Sequence, residues 1–391
     1  MRDPYPALAR LRAEDPVFFS RERDGWILTR YDDCLEVLRD HDRFASDTAT
    51  ARGRLGEHMR GLRGGSPLGD RPLFGQSDPP DHPRLRAVID RAFTPRIVDA
   101  HRAEIERHIE ALVGAVEPGR PFDLMRGLAE PLPVLVIGDL LGLDDANRHE
   151  VRAHAQAVMR GVAEAGLTAT ARRAAEDSRE WLRAYLARYA DEHGDDGERP
   201  LIRMLFDAEV EGGRLSVDEV LAFAVFLYTA GSGPTAGLIA NGLAALLRHP
   251  EQLARLREEP SRIAAATDEL LRYDSPPQAL IRVATAETRI GRRRIATGGA
   301  LFLMVGAANR DPEAFPDPDA LDVARERASR HLSFGRSSHF CLGAPLAQLE
   351  TELLYRVLFE RFASLEIAEG GFAWGGTMLL RVPREMIVVA R

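Results

Sequence analysis

Chemistry in this chain could begin at Cys341, because the residues around it give a sulfur reasons to stay deprotonated. The run 334–350 reads FGRSSHFCLGAPLAQLE. The residues before the cysteine are small, polar or Gly and predict an irregular loop. Those after it, Leu342-Gly343-Ala344-Pro345-Leu346-Ala347, predict the first turn of a helix, with Pro345 where a missing N–H costs little. A sulfur at that junction meets unpaired backbone N–H groups and the positive end of a helix dipole, which favours the thiolate. Gly343 leaves no side chain to crowd whatever the sulfur binds. A lone cysteine is commonly a buried apolar filler. That is the reading for Cys34, inside a helical pattern near 31–40; the flanks of Cys341 argue otherwise.

Composition removes several classes of function. The chain has 391 residues, 45% apolar and 29% charged, ordinary values for a soluble globular protein. Net charge is −8, so there is no electrostatic footprint for nucleic acid. There is no Lys; all 52 basic residues are Arg. That excludes Schiff-base chemistry on a lysine and lysine-based phosphate loops. Two cysteines cannot build a disulfide scaffold or a zinc site of several thiolates. The opening MRDPYPALARLRAEDP is charged where a signal peptide needs an apolar core, so the cytoplasm is the expected compartment.

The elements that must position the cysteine are mostly helical. Residues 220–247 contain no charge, a run longer than the ~18 apolar residues that flag a membrane span. Ser216 with Glu219 makes a capping box, and Ser232, Gly233, Pro234 and Asn241 interrupt the run, so a core helix is the expectation. It should run from about 217 to 249 and stop at Pro250, a length of about 50 Å. A strand pair is predicted around Asp24-Gly25, with Val17-Phe18-Phe19 against Trp26-Ile27-Leu28. Residues 51–71, dense in Gly and Arg, read as a mobile loop. Helices dominate 84–190, and an acidic linker occupies 191–198. A further helix ends near Tyr273, broken by Ser275-Pro276-Pro277. The expectation is one unit over 1–391, mainly α with small β-sheets near 17–30, 281–305 and 365–389.

The cysteine run, the Glu269-Leu-Leu-Arg272 pair and the long helix carrying Ala230-Gly231 together resemble the cytochrome P-450 superfamily of haem-thiolate enzymes. The likeness includes 77–96 (SDPPDHPRLRAVIDRAFTPR) and 305–319 (VGAANRDPEAFPDPD) and extends over nearly the whole chain. ExxR alone is weak in a chain this rich in Glu and Arg; in order with the cysteine loop it is specific. The resemblance implies haem b (iron protoporphyrin IX) held between the long helix and the cysteine-loop helix. Cys341 would be the axial thiolate, donating electron density that favours O–O cleavage. Phe334 and Phe340 would flank the sulfur and keep water from it. Glu269 and Arg272 would form a buried pair bracing the cysteine loop. His82, Arg86, Arg282 and His339 match the residues that bind haem propionates. By the same resemblance the substrate pocket would draw on the 51–75 loop, 155–172, 224–235, 278–281 and Met378-Leu379.

This sequence departs from the family pattern in ways that bear on mechanism. The long helix of the family carries an acid followed by Thr, which relays protons for oxygen activation. Here the run is Ala230-Gly231-Ser232-Gly233-Pro234-Thr235, with Gly233 in the acid's place and Pro234 in the alcohol's. Neither can donate a proton, and Ser232 and Thr235 lie one step away, about 100° around the helix. Pro234 cannot bond the carbonyl of Ala230, so a bend is expected there. Ser337 replaces the second Gly of the loop, Gln348 replaces an Arg, and Ala320 stands where an Arg often completes the network with Glu269 and Arg272. The expected function is a monooxygenase-type oxidoreductase acting on a medium-sized organic molecule in secondary metabolism, with a ferredoxin and its reductase as electron donors. Five arginines of the loop (Arg52, Arg54, Arg60, Arg63, Arg71) could attract an acidic or carrier-bound substrate. The alternatives are a peroxide-driven enzyme, an oxidative-coupling or rearrangement enzyme, and a haem-bound accessory protein without catalysis. No membrane and no nucleic acid are expected as partners.

Overall fold

A computed structural model describes the chain outside residues 1–2, 70–71, 92, 144, 164–167, 193–200 and 211–212. Six helices matter for the site: α1 (Gly53–Arg63), α2 (Asp81–Ile89), α3 (Pro131–Leu141), α4 (Val217–Arg248), α5 (Ile263–Tyr273) and α6 (Ala344–Arg361). The main sheet contains β1 (Val17–Ser20), β2 (Gly25–Leu28), β3 (Phe44–Ala45), β4 (Leu280–Ala284) and β5 (Ala300–Leu303), in the order β1-β2-β5-β4-β3. Near the C-terminus β6 (Leu365–Trp374) and β7 (Pro383–Ala390) form a hairpin joined by the strand Pro121–Asp123. The architecture is mainly helical with small sheets.

The long helix begins as its sequence dictates. Ser216 Oγ accepts the N–H of Glu219 at 3.2 Å, and the Glu219 carboxylate accepts the N–H of Ser216 at 2.9 Å. Helix α4 then runs 32 residues to Arg248, and Pro250 opens the next helix rather than continuing this one. By length and composition it could cross a membrane. In the fold it is a core helix, packed on α3, α5, α6 and the helices Asp145–Ala163 and Ala169–Glu192. Every residue from Thr235 to Leu246 is buried, while Thr229–Pro234 is left partly uncovered.

The predicted hairpin pairs Val17 with Leu28 and Phe19 with Trp26, and Asp24 takes the left-handed conformation (φ 51°) at its turn. Strand β5 runs parallel to β2 and antiparallel to β4, which sets Arg282 opposite Leu301. The first and last parts of the chain meet on α5: the Tyr5 hydroxyl donates to Asp274 at 2.7 Å, and Arg381 Nε donates to the same oxygen at 2.9 Å.

The mobile loop expected over 51–71 is instead largely helix α1. Two of its arginines are tied back to the segment before it. Arg60 Nη1 donates to the carbonyls of Ala49 and Ala51 at 2.6 and 3.0 Å. Arg63 forms a two-bond pair with Asp47, the closer at 2.5 Å. Gly56 lies so near Ala51 that a Cβ would stand 1.7 Å from its carbonyl oxygen. These tertiary contacts outweigh the poor helix propensity of a Gly-rich segment. Helices do dominate 84–190, interrupted by Pro121–Asp123 and the π-turn Met125–Ala129. The acidic linker lies outside the described residues from 193 onward.

Candidate active site

A cavity of about 280 Å³ opens between the uncovered stretch of α4 and the start of α6. On one wall lie Cys341, Leu342, Gly343, Leu346, Ala347 and Glu350. On the other, Leu227, Ala230, Gly231, Pro234, Thr235 and Leu238 follow the helical repeat along one face of α4. Phe74 and Phe226 close one end as an edge-to-face pair with centroids 5.8 Å apart.

The cysteine loop has the predicted form. The Cys341 N–H bonds to the carbonyl of Phe334 at 2.8 Å, and α6 starts at Ala344 with Pro345 in its first turn. Gly335 and Ser337 both take positive φ, 68° and 62°. Ser337 thus holds a conformation that Gly adopts freely, at a cost of roughly 1–2 kcal/mol for an L side chain. The expectation that the helix start alone secures a thiolate needs correction. The N–H groups of Gly343 and Ala344 and the charge of Arg86 do favour S⁻, yet burial outweighs them and pushes the Cys341 thiol up. A bound cation would reverse that balance, since a coordinating thiol is deprotonated outright. Cys34 is filler as expected, fully buried and directed at the Leu28 carbonyl, 3.6 Å away.

Phe334 and Phe340 meet edge to face beside the sulfur, with centroids 6.1 Å apart, and both line the cavity. His82 and Arg86 on α2, Arg282 on β4 and His339 line it as well. The rings of His82 and His339 stack at 3.9 Å. Burial, reinforced for His82 by Arg86 and for His339 by His82 and Arg282, lowers their pKa values to about 4 and about 3. Arg282 is lowered to about 10 by burial, with Asp78 opposing. Arg86 Nη1 donates to the Phe340 carbonyl at 2.7 Å and its Nε pairs with Asp90 at 2.6 Å, tying α2 to the cysteine loop. Two nitrogens in this ring, His82 Nε2 and Arg282 Nε, are buried without a hydrogen-bond partner among the described residues. A buried polar group left unpaired costs about 1–3 kcal/mol, so the ring is built for an anionic oxygen. An unmet guanidinium N–H and an unmet imidazole nitrogen beside a buried thiol fit haem, whose carboxylates would satisfy the first and, by bringing negative charge, favour protonation of the second.

Glu269 and Arg272 stand behind the cavity wall. They form a two-bond pair at 2.6 and 2.8 Å, with 1% and 0% of their surfaces exposed. Arg272 also donates to the carbonyls of Asn309, Pro318 and Ala320. The arginine expected at position 320 is replaced by Arg325, whose Nε reaches Glu269 at 3.1 Å. Asn309 carries the brace onward, accepting the Leu332 N–H at 2.7 Å and donating to Ser333 at 2.9 Å. Removing one partner from such a buried pair costs about 3–5 kcal/mol. Gln348, in the place of an Arg, turns to Asp268 at 2.7 Å.

The six-residue run on α4 divides. Ala230, Gly231, Pro234 and Thr235 line the cavity; Ser232 and Gly233 do not. Ser232 Oγ donates to the Tyr228 carbonyl at 2.8 Å, and a Cβ on Gly233 would meet only Leu380, at 3.8 Å. A side chain at position 233 would therefore point toward Leu380, in the connection between β6 and β7. Met378-Leu379, Gln278 and the described part of 155–172 also lie off the cavity. Gln278 is held instead by Ser275 and Tyr5.

Sequence reasoning missed Asp78, Arg325 and Glu350. The Asp78 carboxylate accepts the N–H groups of Ser46 and Asp47 at 2.8 and 2.9 Å, and the Ser46 hydroxyl meets His339 Nε2 at 3.0 Å. A carboxyl on the apolar stripe of Leu346, Leu349 and Leu353 was a signal available for Glu350.

The sequence profile described as Cytochrome P450 matches residues 166–371. The 6-deoxyerythronolide B hydroxylase of Saccharopolyspora erythraea is 37% identical over 387 residues, spanning 97% of this chain and 94% of that one. The polyketide biosynthesis cytochrome P450 PksS of Bacillus subtilis is 33% identical over 392 residues, with coverage of 97% and 94%. Among solved structures, epothilone D-bound cytochrome P450epoK superposes with a TM-score of 0.89 at 31% identity, covering 100% of this chain and 96% of that one. A likeness that runs end to end at such identity, over a fold that closes around its one cavity-facing cysteine, places this chain in the cytochrome P450 family as an oxidoreductase of the monooxygenase type.

Proposed function

We propose that the chain is a haem b monooxygenase of secondary metabolism that oxidises a medium-sized, largely apolar organic molecule. The observation that carries this reading is the cavity itself, with Cys341 on one wall, α4 on the other, and His82, Arg86, Arg282 and His339 gathered in its lining. When bound, haem supplies the activation of dioxygen. Cys341 holds it through sulfur, with the N–H groups of Gly343 and Ala344 sharing the negative charge. Phe334 and Phe340 exclude water from that bond. His82, Arg86, Arg282 and His339 bind the carboxylates and fix orientation.

The substrate would lie against Phe74, Phe226, Leu227, Ala230 and Leu280, an apolar lining. The names of the relatives support this substrate class: one hydroxylates 6-deoxyerythronolide B, one serves polyketide biosynthesis and one structure holds epothilone D. Arg60 and Arg63 are turned to Asp47 and backbone carbonyls, so recognition of an acidic or carrier-bound substrate does not rest on them. A cytoplasmic ferredoxin and its reductase would supply electrons. Protons must arrive by a route other than the acid–Thr pair, because Gly233 and Pro234 offer none.

The spectrum of the reduced, carbon-monoxide-bound protein tests the reading. A thiolate-type band is expected for the wild type and for Cys34→Ala, and its loss in Cys341→Ala. Colourless protein after haem loading, or an unchanged band in Cys341→Ala, would overturn it. Turnover with peroxide alone, without reductase, would favour the peroxide-driven alternative.

A further inference from the structure

The hydrogen atoms around His339 can be counted, and the count decides which ring nitrogen carries one. Ser46 is 2% exposed and stands outside the cavity lining, with its hydroxyl 3.0 Å from His339 Nε2. Among the described residues that hydroxyl has no other hydrogen-bond partner. If Nε2 carried the hydrogen, Ser46 would accept it, and the serine's own hydrogen would be buried with nothing to bond. A doubly protonated ring meets the same objection. With Nε2 bare, Ser46 donates to it and no buried hydrogen is left over. His339 therefore carries its hydrogen on Nδ1, because the bond made at one ring nitrogen sets the state of the other.

That Nδ1 has no partner among the described residues, and the ring lines the cavity. His339 thus offers a hydrogen-bond donor to whatever the cavity holds, and only an acceptor can answer it. The serine is placed in turn by Asp78. Its N–H donates to Asp78 Oδ1 at 2.8 Å, and the Asp47 N–H donates to Oδ2 at 2.9 Å. The Asp78 carbonyl accepts the His82 N–H at 3.1 Å, and the His82 ring stacks on His339 at 3.9 Å. One residue therefore sets both the hydroxyl that meets the His339 ring edge and the ring that covers its face.

We propose that Ser46 is a positioning residue that locks His339 in its Nδ1–H form, as a donor to a haem carboxylate. This rests on the haem reading above. Ser46 does not line the site and acts only through the ring. Without its hydroxyl the hydrogen is free to move to Nε2. Nδ1 would then present a lone pair to the carboxylate, and an attraction would become a repulsion. The lock matters because a neutral imidazole has one hydrogen to give, and a carboxylate can only accept.

The test begins on haem-free protein carrying ¹⁵N in its 11 histidines. NMR at neutral pH tells Nδ1–H from Nε2–H by nitrogen shifts and couplings, and His339→Phe assigns the signals of that ring. His339 should show the Nδ1–H pattern, and in Ser46→Ala the Nε2–H pattern should appear beside it. An Nε2–H pattern in the wild type, or one unmoved in Ser46→Ala, overturns the proposal. Haem titration reads the consequence. A hydrogen bond to a charged acceptor is worth about tenfold in affinity at its lower end, so Ser46→Ala should weaken haem binding about tenfold. Ser46→Thr keeps the hydroxyl and should hold both the tautomer and the affinity. In the His339→Phe background, Ser46→Ala should cost nothing further, which a merely structural serine would not show. Equal affinities for wild type and Ser46→Ala defeat the proposal and leave the haem reading intact. A wild type that takes up no haem defeats the haem reading instead, while the NMR pattern still decides whether Ser46 sets the ring.

Discussion

The sulfur of Cys341 and Nε of Arg282 occupy positions that folding alone does not favour. Burial raises the thiol, and burial leaves the guanidinium short of a partner. Both costs are recovered only when a metal and an anion arrive together, which is what a haem carrying carboxylates brings. A charge-assisted hydrogen bond is worth about 1.5–3 kcal/mol, so Arg282→Ala should weaken haem binding about 10- to 100-fold in a titration of haem-free protein. Arg289→Ala, on an exposed site in the next strand along the chain, should leave the affinity unchanged. Equal affinities for the two variants would remove Arg282 from the site. That Cys341, His82, Arg86, Arg282 and His339 gather around one cavity was legible in the sequence, because each sits at a fixed offset inside a motif. Arg325 and Asp78 were not, because the partners that define them come from distant segments: Glu269 is 56 positions from Arg325, and Ser46 is 32 from Asp78.

At the scale of elements, α4 was read correctly from start to stop, because its capping box and uncharged run are local signals. Which of its residues face the cavity was less legible: six were candidates, and the helical repeat selects Ala230, Gly231, Pro234 and Thr235. Segment 51–71 misled for the opposite reason. Its own propensities are weak, and α1 exists through contacts made by Arg60 and Arg63 with residues before it. The α4 geometry also leaves room for the acid–Thr pair of the family pattern. A side chain at position 233 meets only Leu380, at 3.8 Å, so Gly233→Asp with Pro234→Thr should fold. Thr at 234 restores an N–H for the Ala230 carbonyl and should stabilise the helix by up to about 3 kcal/mol, read as a higher urea midpoint. The double variant should also shift oxygen consumption from peroxide toward water. An unchanged partition would mean that the loss of the acid–Thr pair has no catalytic consequence.

Over the whole molecule, a buried neutral acid leaves a mark on stability. The folded-state pKa of Glu350 lies above its unfolded value, so above about pH 4.3 the folded form retains a proton that the unfolded chain releases. This contribution is fully present below that pH and is lost as pH rises, at up to about 1.4 kcal/mol per pH unit, until the buried carboxyl itself ionises. Other groups are common to wild type and Glu350→Gln, so the difference between their unfolding free energies at about pH 5 and pH 8 should report this group alone. A difference independent of pH would mean that Glu350 is ionised in the fold. One further contact joins parts of the molecule with separate duties. Phe74, at the end of the cavity it closes with Phe226, lies flat on His82 at 5.0 Å with 17° between the rings, and His82 in turn lies on His339. A ligand large enough to push Phe74 aside must therefore disturb the stacked pair His82 and His339. Bulk beside Phe74 and the packing of the two histidines are mechanically linked, so if that pair holds the haem carboxylates as proposed, spectral titration with ligands of increasing size should register both at once.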